Sequence, residues 1–477
     1  VFKEYDMNLT TTTTAVVRIQ EEHATALQSR VRGQVITPES ALYDEARQAF
    51  NRLVDQRPAL ILIAANAQDV AEGVQFARGQ GLGVAIQSTG HGVILPADNA
   101  VMIITSQLRD ILVDASSGTA HLGAGLKWGE VLAETQKFGL APLLGSSPGV
   151  GVVGYTLGGG LGWLGRKHGL ACDSVLSFEL VSVDGQVLTA SATENADLFW
   201  GLRGGGGGFG IVTSMVIQLH PVDTVYGGNL FYPGEMAREV MQRYREWIRA
   251  APDALTTSVV LMNFPPFPQV PEPLRGKSFV LVRGCYAGLV EEGEAQLKFW
   301  RDWKTPVIDD FKAMPFTQVA KISSDPVNPA PSKATGAWLR SLSDSAIDAL
   351  IRASRPQDGP PALTVVEVRH AGGAIGRVPA GESAFSLRDS ELVLFCVGMA
   401  ASPEAGARID AVVSQMRQEL AVDLTGGVYM NFVGGMEARE RTRDGYSAEA
   451  FQRLQALKAK YDPENIFGYS YAIAPVK

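Results

Sequence analysis

Between Arg32 and Pro221, short apolar runs alternate with segments whose apolar residues recur at helical spacing. Residues 59–64, 84–87, 101–105, 111–113 and 120–122 read as strands, and 68–79 and 128–138 as helices. Asp69 falls in the first turn of one helix, where the macrodipole favours an anion, and Gly139 can terminate the other. Residues 177–183 and 211–219 close this region with β-rich runs. After His220 the strands lengthen: 257–262, 279–286, 363–370 and 391–397. Helical stretches at 236–248, 291–303 and 403–420 separate them, and Met236, Val240, Tyr244 and Trp247 share one helical face as a core stripe. This pattern predicts an antiparallel sheet with helices on one face. A final helix is expected over 448–461, and no internal repeat is present.

The length of 477 residues allows two or three domains, and the expected divisions are 15–222, 223–436 and 437–477. The fold class is α+β. A composition 46% hydrophobic and 19% charged is globular, with no apolar run near the ~20 residues of a membrane span. A net charge of −8 with no basic cluster argues against nucleic acid. Cys172, Cys285 and Cys396 are far apart and no His/Cys spacing suits a metal, so a reducing cytoplasmic setting is expected, without disulfides or zinc. Residues 1–14, with five consecutive threonines, are set aside from the fold, and Met7 is a candidate start.

Candidate chemistry gathers in glycine-rich stretches. In Gly83-Val84-Ala85-Ile86-Gln87-Ser88-Thr89-Gly90-His91-Gly92 a strand runs into a turn that holds one imidazole between two glycines. Glycines there let main-chain N–H groups approach an anion, and a buried neutral imidazole is a competent nucleophile. An ordinary loop histidine is the alternative. Further tracts are Gly123-Ala124-Gly125, residues 145–162 and residues 203–210, which together suit a long ligand gripped by backbone. Two motif matches fall inside the second. Gly149-Val150-Gly151-Val152-Val153-Gly154 fits a dinucleotide fingerprint, with Asp173 about twenty residues further on. Gly145-Ser146-Ser147-Pro148-Gly149 fits a serine nucleophile elbow centred on Ser147. Both need a strand before and a helix after, and Pro148 among so many glycines makes that helix implausible.

In their order, these tracts with Arg166-Lys167-His168-Gly169-Leu170, Asp197-Leu198-Phe199-Trp200, Tyr429-Met430-Asn431 and Tyr461-Asp462-Pro463-Glu464-Asn465-Ile466-Phe467 resemble the berberine bridge enzyme-like branch of FAD-linked oxidases, of the vanillyl-alcohol-oxidase/PCMH-type fold. The resemblance implies a two-part FAD-binding domain with a substrate domain between its parts. It implies an extended FAD contacted by Gln87, Ser88, Thr89, Gly90, His91 and Gly92, by Ser146, Ser147, Val150, Gly151, Gly154, Gly158, Gly159 and Gly162, and by Ile211 and Tyr471. It assigns His91 a covalent bond to the flavin 8α-carbon. Ser147 stands where some members have a second, cysteinyl bond, so a single link is expected. Val150 matches a position tied to oxygen access. Gln87 and Thr89 depart from the family pattern before the histidine, and Ser470 and Ala472 replace two asparagines of the tail.

The resemblance also singles out Tyr429 for proton acceptance or substrate orientation. In the run Val365-Val366-Glu367-Val368-Arg369-His370, Glu367 and Arg369 share one strand face and His370 faces the other way. Glu367 and Arg369 are candidates to bind or deprotonate substrate, the alternative being an ion pair that bridges two strands. The expected function is oxidation of a small alcohol or amine by FAD and molecular oxygen, with hydrogen peroxide released, as in secondary-metabolite tailoring or carbohydrate oxidation. A serine hydrolase using Ser147, a flavin dehydrogenase, and a non-catalytic flavin-binding protein remain as other readings.

Overall fold

The computed structural model describes residues 17–268, 270–355 and 360–476; the expected start at Met7 lies outside them. Three main sheets organise the chain. Leu60–Ile63, Val101–Ile104 and Val84–Gln87 pair in parallel, with Gln34–Ile36 antiparallel at one edge. Leu62 and Ile103 lie across from each other and pack the helix Ala67–Gly79 on the sheet, where Gly73 lets them come close. Asp69 of that helix is 1% exposed and accepts from the N–H groups of Arg32, Gly33 and Ala65. It therefore pins the preceding chain as well as the helix terminus. A five-stranded antiparallel sheet follows, ordered Ile111–Asp114, Thr119–Gly123, Ile211–Gln218, Val175–Val181, Val187–Ser191.

The third sheet is antiparallel throughout. Its central strands are Thr224–Pro233, Ser278–Tyr286, Leu255–Asn263, Val365–His370, Leu392–Met399 and Ser332–Leu339. Alternation decides its two faces. Val259, Leu261, Val282, Val366, Val368 and Leu394 turn to a core shared with helices Ala237–Ile248, Val290–Arg301, Asp344–Ser354 and Pro403–Glu419. Ser258, Arg283, Glu367 and Arg369 occupy the other face. Helices on one face is what the pattern predicts.

Sequence pattern does not reveal every element. Thr224–Pro233 has Gly227-Gly228-Asn229 at its centre and a terminal proline, a poor strand by propensity, yet it is hydrogen-bonded on both edges. Ser332–Leu339 is interrupted by Gly336, against which the Phe432 side chain packs. One expectation is corrected: a helix, Val152–Leu157, does form after Pro148. Gly151 is its N-cap and Gly158 follows its last residue, so the breakers flank it instead of interrupting it. The strand that either motif requires is still missing, because residues 145–150 are irregular. No helix among the described residues is long and apolar enough to cross a membrane.

Two buried cations tie distant segments together. Arg166, 5% exposed, donates to the carbonyls of Leu255, Ala251 and Ala371 and to His370 Nε2, joining the glycine-rich tract to the large sheet. Lys458, in helix Ala448–Tyr461, donates to Gly208 O at 2.7 Å and to Asp462 Oδ2 at 2.5 Å. Asp462 also accepts from the N–H groups of Ile466 and Phe467, and Ile466 O accepts from Val84 N, so the tail is fastened beside strand Val84–Gln87. Replacing Lys458 with Met leaves a buried carboxylate without its cation and should lower unfolding free energy by about 3–5 kcal/mol. Urea denaturation checks this, and K458M/D462N should recover part of the loss.

Candidate active site

The site is built where strand Val84–Gln87 ends. Gln87 is 8% exposed, and its side chain is held by Gln56 and Gln48, so only its backbone faces the turn. None of the N–H groups from Ser88 to Gly92 has an acceptor among the described residues. Five consecutive amides are thus left free for an anion. Gly90 has φ +73°, and a Cβ there would lie 2.7 Å from Ala49 Cα, so both backbone strain and space require glycine. Ser88 Oγ donates to Ala124 O and lies against Gly151, which brings the second glycine tract to the first.

His91 stacks on Phe50 with ring centroids 3.7 Å apart, and its Nδ1 lies 2.8 Å from Thr89 Oγ1. Its Nε2 is buried without a partner. Burial, aided by the Lys127 charge, lowers its pKa to about 4, so the imidazole is neutral at physiological pH. Gly149 approaches both the His91 ring and Ser147 Oγ, with an added Cβ 3.9 Å from each. Ser147 Oγ makes no hydrogen bond to an imidazole among the described residues, so the geometry of a serine nucleophile is missing. Ser146 Oγ instead donates to Asp325 Oδ2 at 2.6 Å. Val150 is partly buried and its carbonyl accepts from Trp128 N.

The remaining predicted residues divide by position. Gly158 abuts Asn431, Gly159 abuts the Phe385 ring, and Gly162 abuts Leu144 O. Gly92 and Gly154 open onto free space. The Ile211 side chain lies in the core at the start of its strand, leaving only its backbone for any ligand. Tyr471 lays its ring against Gly206, joining the tail to the third glycine tract. Ser470 and Ala472 keep backbone roles, with Ser470 O accepting from Arg439 and Ala472 N donating to Thr442.

Tyr429 lies in irregular chain before the short turn Met430–Phe432, not in a strand. It is 2% exposed, and its hydroxyl oxygen accepts from Gly160 N at 3.0 Å, Leu161 N at 2.9 Å and Asn431 Nδ2 at 3.0 Å. Burial lifts its pKa to about 12 in spite of these three donors. Across from it, the Glu367–Arg369 pair lies within one strand, not between two: Arg369 Nε donates to Glu367 Oε2 at 2.9 Å. Arg283, on Ser278–Tyr286, adds a second guanidinium 3.8 Å from Glu367 Oε1. Burial works to raise the Glu367 pKa, but Arg369 and Arg283 together hold it below the usual carboxylate value. A cleft lined by Ser146, Leu161, Gly162, Thr256, Arg369 and His370 separates the glycine tract from this polar sheet face.

Sequence pattern misses Phe50, Lys127 and Tyr155, whose hydroxyl is buried without a partner near Gly162. Arg283 has a legible signal, as the one charge inside an otherwise uncharged β-run. Cys172 is fully buried, and burial pushes its thiol pKa well above normal, as suits a packing residue. The parts fit FAD: free amides for a pyrophosphate, a neutral imidazole at the turn, and a cleft that the glycine tract borders at Gly162. Among the described residues no cluster of His, Cys, Asp and Glu is placed to hold a metal.

Comparison with known proteins agrees with this geometry. Residues 58–191 match the FAD binding domain model and residues 428–474 the berberine and berberine like model. An uncharacterised FAD-linked oxidoreductase of Bacillus subtilis, YgaK, is 28% identical over 459 residues, covering 94% of this chain and 98% of its own. The (R)-6-hydroxynicotine oxidase of Paenarthrobacter nicotinovorans is 26% identical over 480 residues, with 93% and 97% covered. The solved glucooligosaccharide oxidase of Acremonium strictum, described with a 6-S-cysteinyl, 8α-N1-histidyl FAD, superposes with a TM-score of 0.81 at 22% identity, covering 95% of this chain and 99% of its own. With an FAD binding domain match at one end, a berberine-like match at the other and FAD-linked relatives aligned over nearly the full chain, this protein carries the domains of FAD-linked oxidoreductases of the berberine-like kind.

Proposed function

We propose that the protein is an FAD-dependent oxidase of a small organic alcohol or amine, with the flavin joined through one bond to His91. The observation that carries the reading is the turn Ser88–Gly92, where acceptor-free amides and a neutral, half-buried imidazole converge. FAD, when bound, supplies a two-electron acceptor that takes hydride from a C–H bond and that molecular oxygen restores, giving hydrogen peroxide. The amides of residues 88–92 would hold the pyrophosphate, and Gly158, Gly159 and Gly162 let Asn431, Phe385 and Leu144 pack directly on the glycine tract. The named relatives include a hydroxynicotine oxidase and an oligosaccharide oxidase, both consistent with a small polar substrate. Ser147 in place of a thiolate, with Cys172 sealed in the core, favours a single link.

Residue roles follow from protonation. At neutral pH Tyr429 keeps its proton, and three N–H groups already occupy its oxygen, so its hydroxyl suits orientation of substrate better than proton removal. Glu367 remains ionised between two guanidinium groups; it is a weak base and a strong anchor for Arg369. We place the FAD-binding parts at 15–222 and 437–477 and the substrate part at 223–436; an apolar core that joins residues of 24–225 to residues of 428–473 supports the return of the tail, and residues 285–322 and 384 pack into the same core from the substrate part.

Purified protein should be yellow, and acid precipitation should leave the colour on the pellet. His91→Ala should release flavin to the supernatant; a white pellet from the wild type sinks the covalent link. Reduced enzyme should reoxidise in air within seconds, and a lifetime of many minutes would point to the dehydrogenase. Because His91 titrates near 4 in the fold, flavin incorporation into apoprotein should be flat from about pH 5 to 8 instead of falling near 6.5. A buried neutral histidine is protonated when unfolded, so its contribution to stability is present above about pH 6.5 and lost as pH falls toward 4. His168 and His370, lowered to about 4 and about 3 by burial, act in the same sense. Scanning calorimetry from pH 7 to 4.5 should show a falling Tm, shallower in H91A than in the wild type.

A further inference from the structure

The sheet face that closes the cleft carries more polar chemistry than orientation of a neutral alcohol requires. Arg369 is 13% exposed at its side chain and lines the cleft. Its Nε is spent on Glu367 Oε2, and its Cζ lies 5.0 Å from the centre of the Phe432 ring, which fixes the plane of the guanidinium. Its two Nη groups have no acceptor among the described residues. A guanidinium tied at Nε and backed by an aromatic ring presents its remaining end as a fork, the shape that receives both oxygens of a planar oxyanion.

The neighbouring positions repeat the signal. Ser258 is paired directly with Arg369 across the strands, and Thr256 lies two residues away on the same face. Ser258 is 0% exposed and its hydroxyl stands against the Glu367 carboxylate, whereas Thr256, 6% exposed, has a buried hydroxyl without a hydrogen-bond partner. Thr256 lines the cleft beside Arg369. An orphaned buried hydroxyl is destabilising unless a ligand completes it. Beyond Ser258 stands Arg283, 5% exposed, so two guanidinium groups face one carboxylate, Glu367, on this surface. Asp325, already taken by Ser146, stands close enough to offset the remaining charge. The anion is therefore selected by fork geometry and hydroxyl placement, not drawn in by net charge.

We propose that the Arg369 fork, with the Thr256 hydroxyl beside it, receives a carboxylate of the substrate, so that the compound oxidised is a carboxylic acid bearing the reactive C–O or C–N bond. The proposal rests on the oxidase reading above and narrows its substrate class. A neutral sugar would meet Thr256 equally well but would leave one end of the fork unfilled. A neutral apolar amine would leave both the fork and the Thr256 hydroxyl without a partner.

Two measurements on the holoenzyme test this. The first needs no turnover: flavin absorbance is titrated with acetate and benzoate, and with acetamide and benzamide as neutral isosteres. Carboxylates should perturb the spectrum at concentrations about tenfold or more below the amides. Arg369→Gln should weaken carboxylate binding about ten- to a hundredfold and leave amide binding unchanged, with Arg369→Lys between the two. The second is anaerobic flavin bleaching by hydroxy and amino acids and by their methyl esters. Acids should show the lower KM, with kcat less affected. Equal binding of amides and carboxylates, or equal bleaching by esters and acids, overturns the proposal while leaving the oxidase intact. If neutral alcohols, sugars or amines bleach the flavin and none of the acids does, the carboxylate proposal fails and the oxidase stands; if no alcohol, sugar, amine or acid bleaches it, the oxidase reading fails, and the titration still decides whether the fork binds a carboxylate. Should R369Q fail to fold, the acid-against-amide comparison on the wild type and on R369K gives the same decision.

Discussion

Buried main-chain amides without acceptors are rare because each leaves a strong donor unsatisfied. From Ser88 to Gly92, a partly buried turn with Gly90 buried, the chain leaves a run of amides without protein acceptors, and much of the architecture serves to keep that run open. Parallel pairing of Val84–Gln87 with Val101–Ile104 fixes where the turn begins. Gly90 lets Ala49 and Phe50 close in behind it, and Phe50 then stacks on His91 and sets the plane of the ring. The tail is fastened to the same strand through Ile466 O, so helix Ala448–Tyr461 and its buried Lys458–Asp462 pair hold the far end of the chain at the same place. An anionic cofactor is the natural completion of such a turn.

The opposite wall meets a different constraint. Glycines at 158, 159 and 162 are crowded by Asn431, Phe385 and Leu144, so side chains there would collide with the packing that brings Tyr429 to the backbone of Gly160 and Leu161. The large sheet contributes its second face to the cleft. Its first face is committed to four helices, and strict alternation leaves Ser258, Arg283, Glu367 and Arg369 with no choice of side. Arg166 joins the two walls by donating across the boundary, and it spends its guanidinium on carbonyls and His370.

Electrostatics then separates the roles of groups that sequence alone treats alike. Burial drives His91 toward the neutral, nucleophilic form and drives Tyr429 toward the protonated one. Glu367 is equally buried, but two guanidinium groups outweigh desolvation and keep it charged. The same physical effect, removal from water, thus yields a neutral imidazole, a protonated hydroxyl and an anchored carboxylate, depending on which charges stand within contact.

Sequence by itself determined the glycine tracts, the turn around His91, the facing of Glu367 and Arg369, and the strands and helices whose apolar positions repeat with a clear period. These are local properties, since backbone space and alternation are written into neighbouring residues. It also carried the family's tail signature, residues 461–467, whose Asp462 caps the N–H groups just after it. Tertiary structure decided what depends on partners far along the chain. The strand Thr224–Pro233 exists because neighbours pair with both its edges, and helix Val152–Leu157 because its breakers fall just outside it. Phe50 behind His91, Arg283 beside Glu367, and Gly160 at Tyr429 are separated in sequence by gaps no periodicity spans. Protonation states were decided there too, because burial and charge are sums over everything folded around a group.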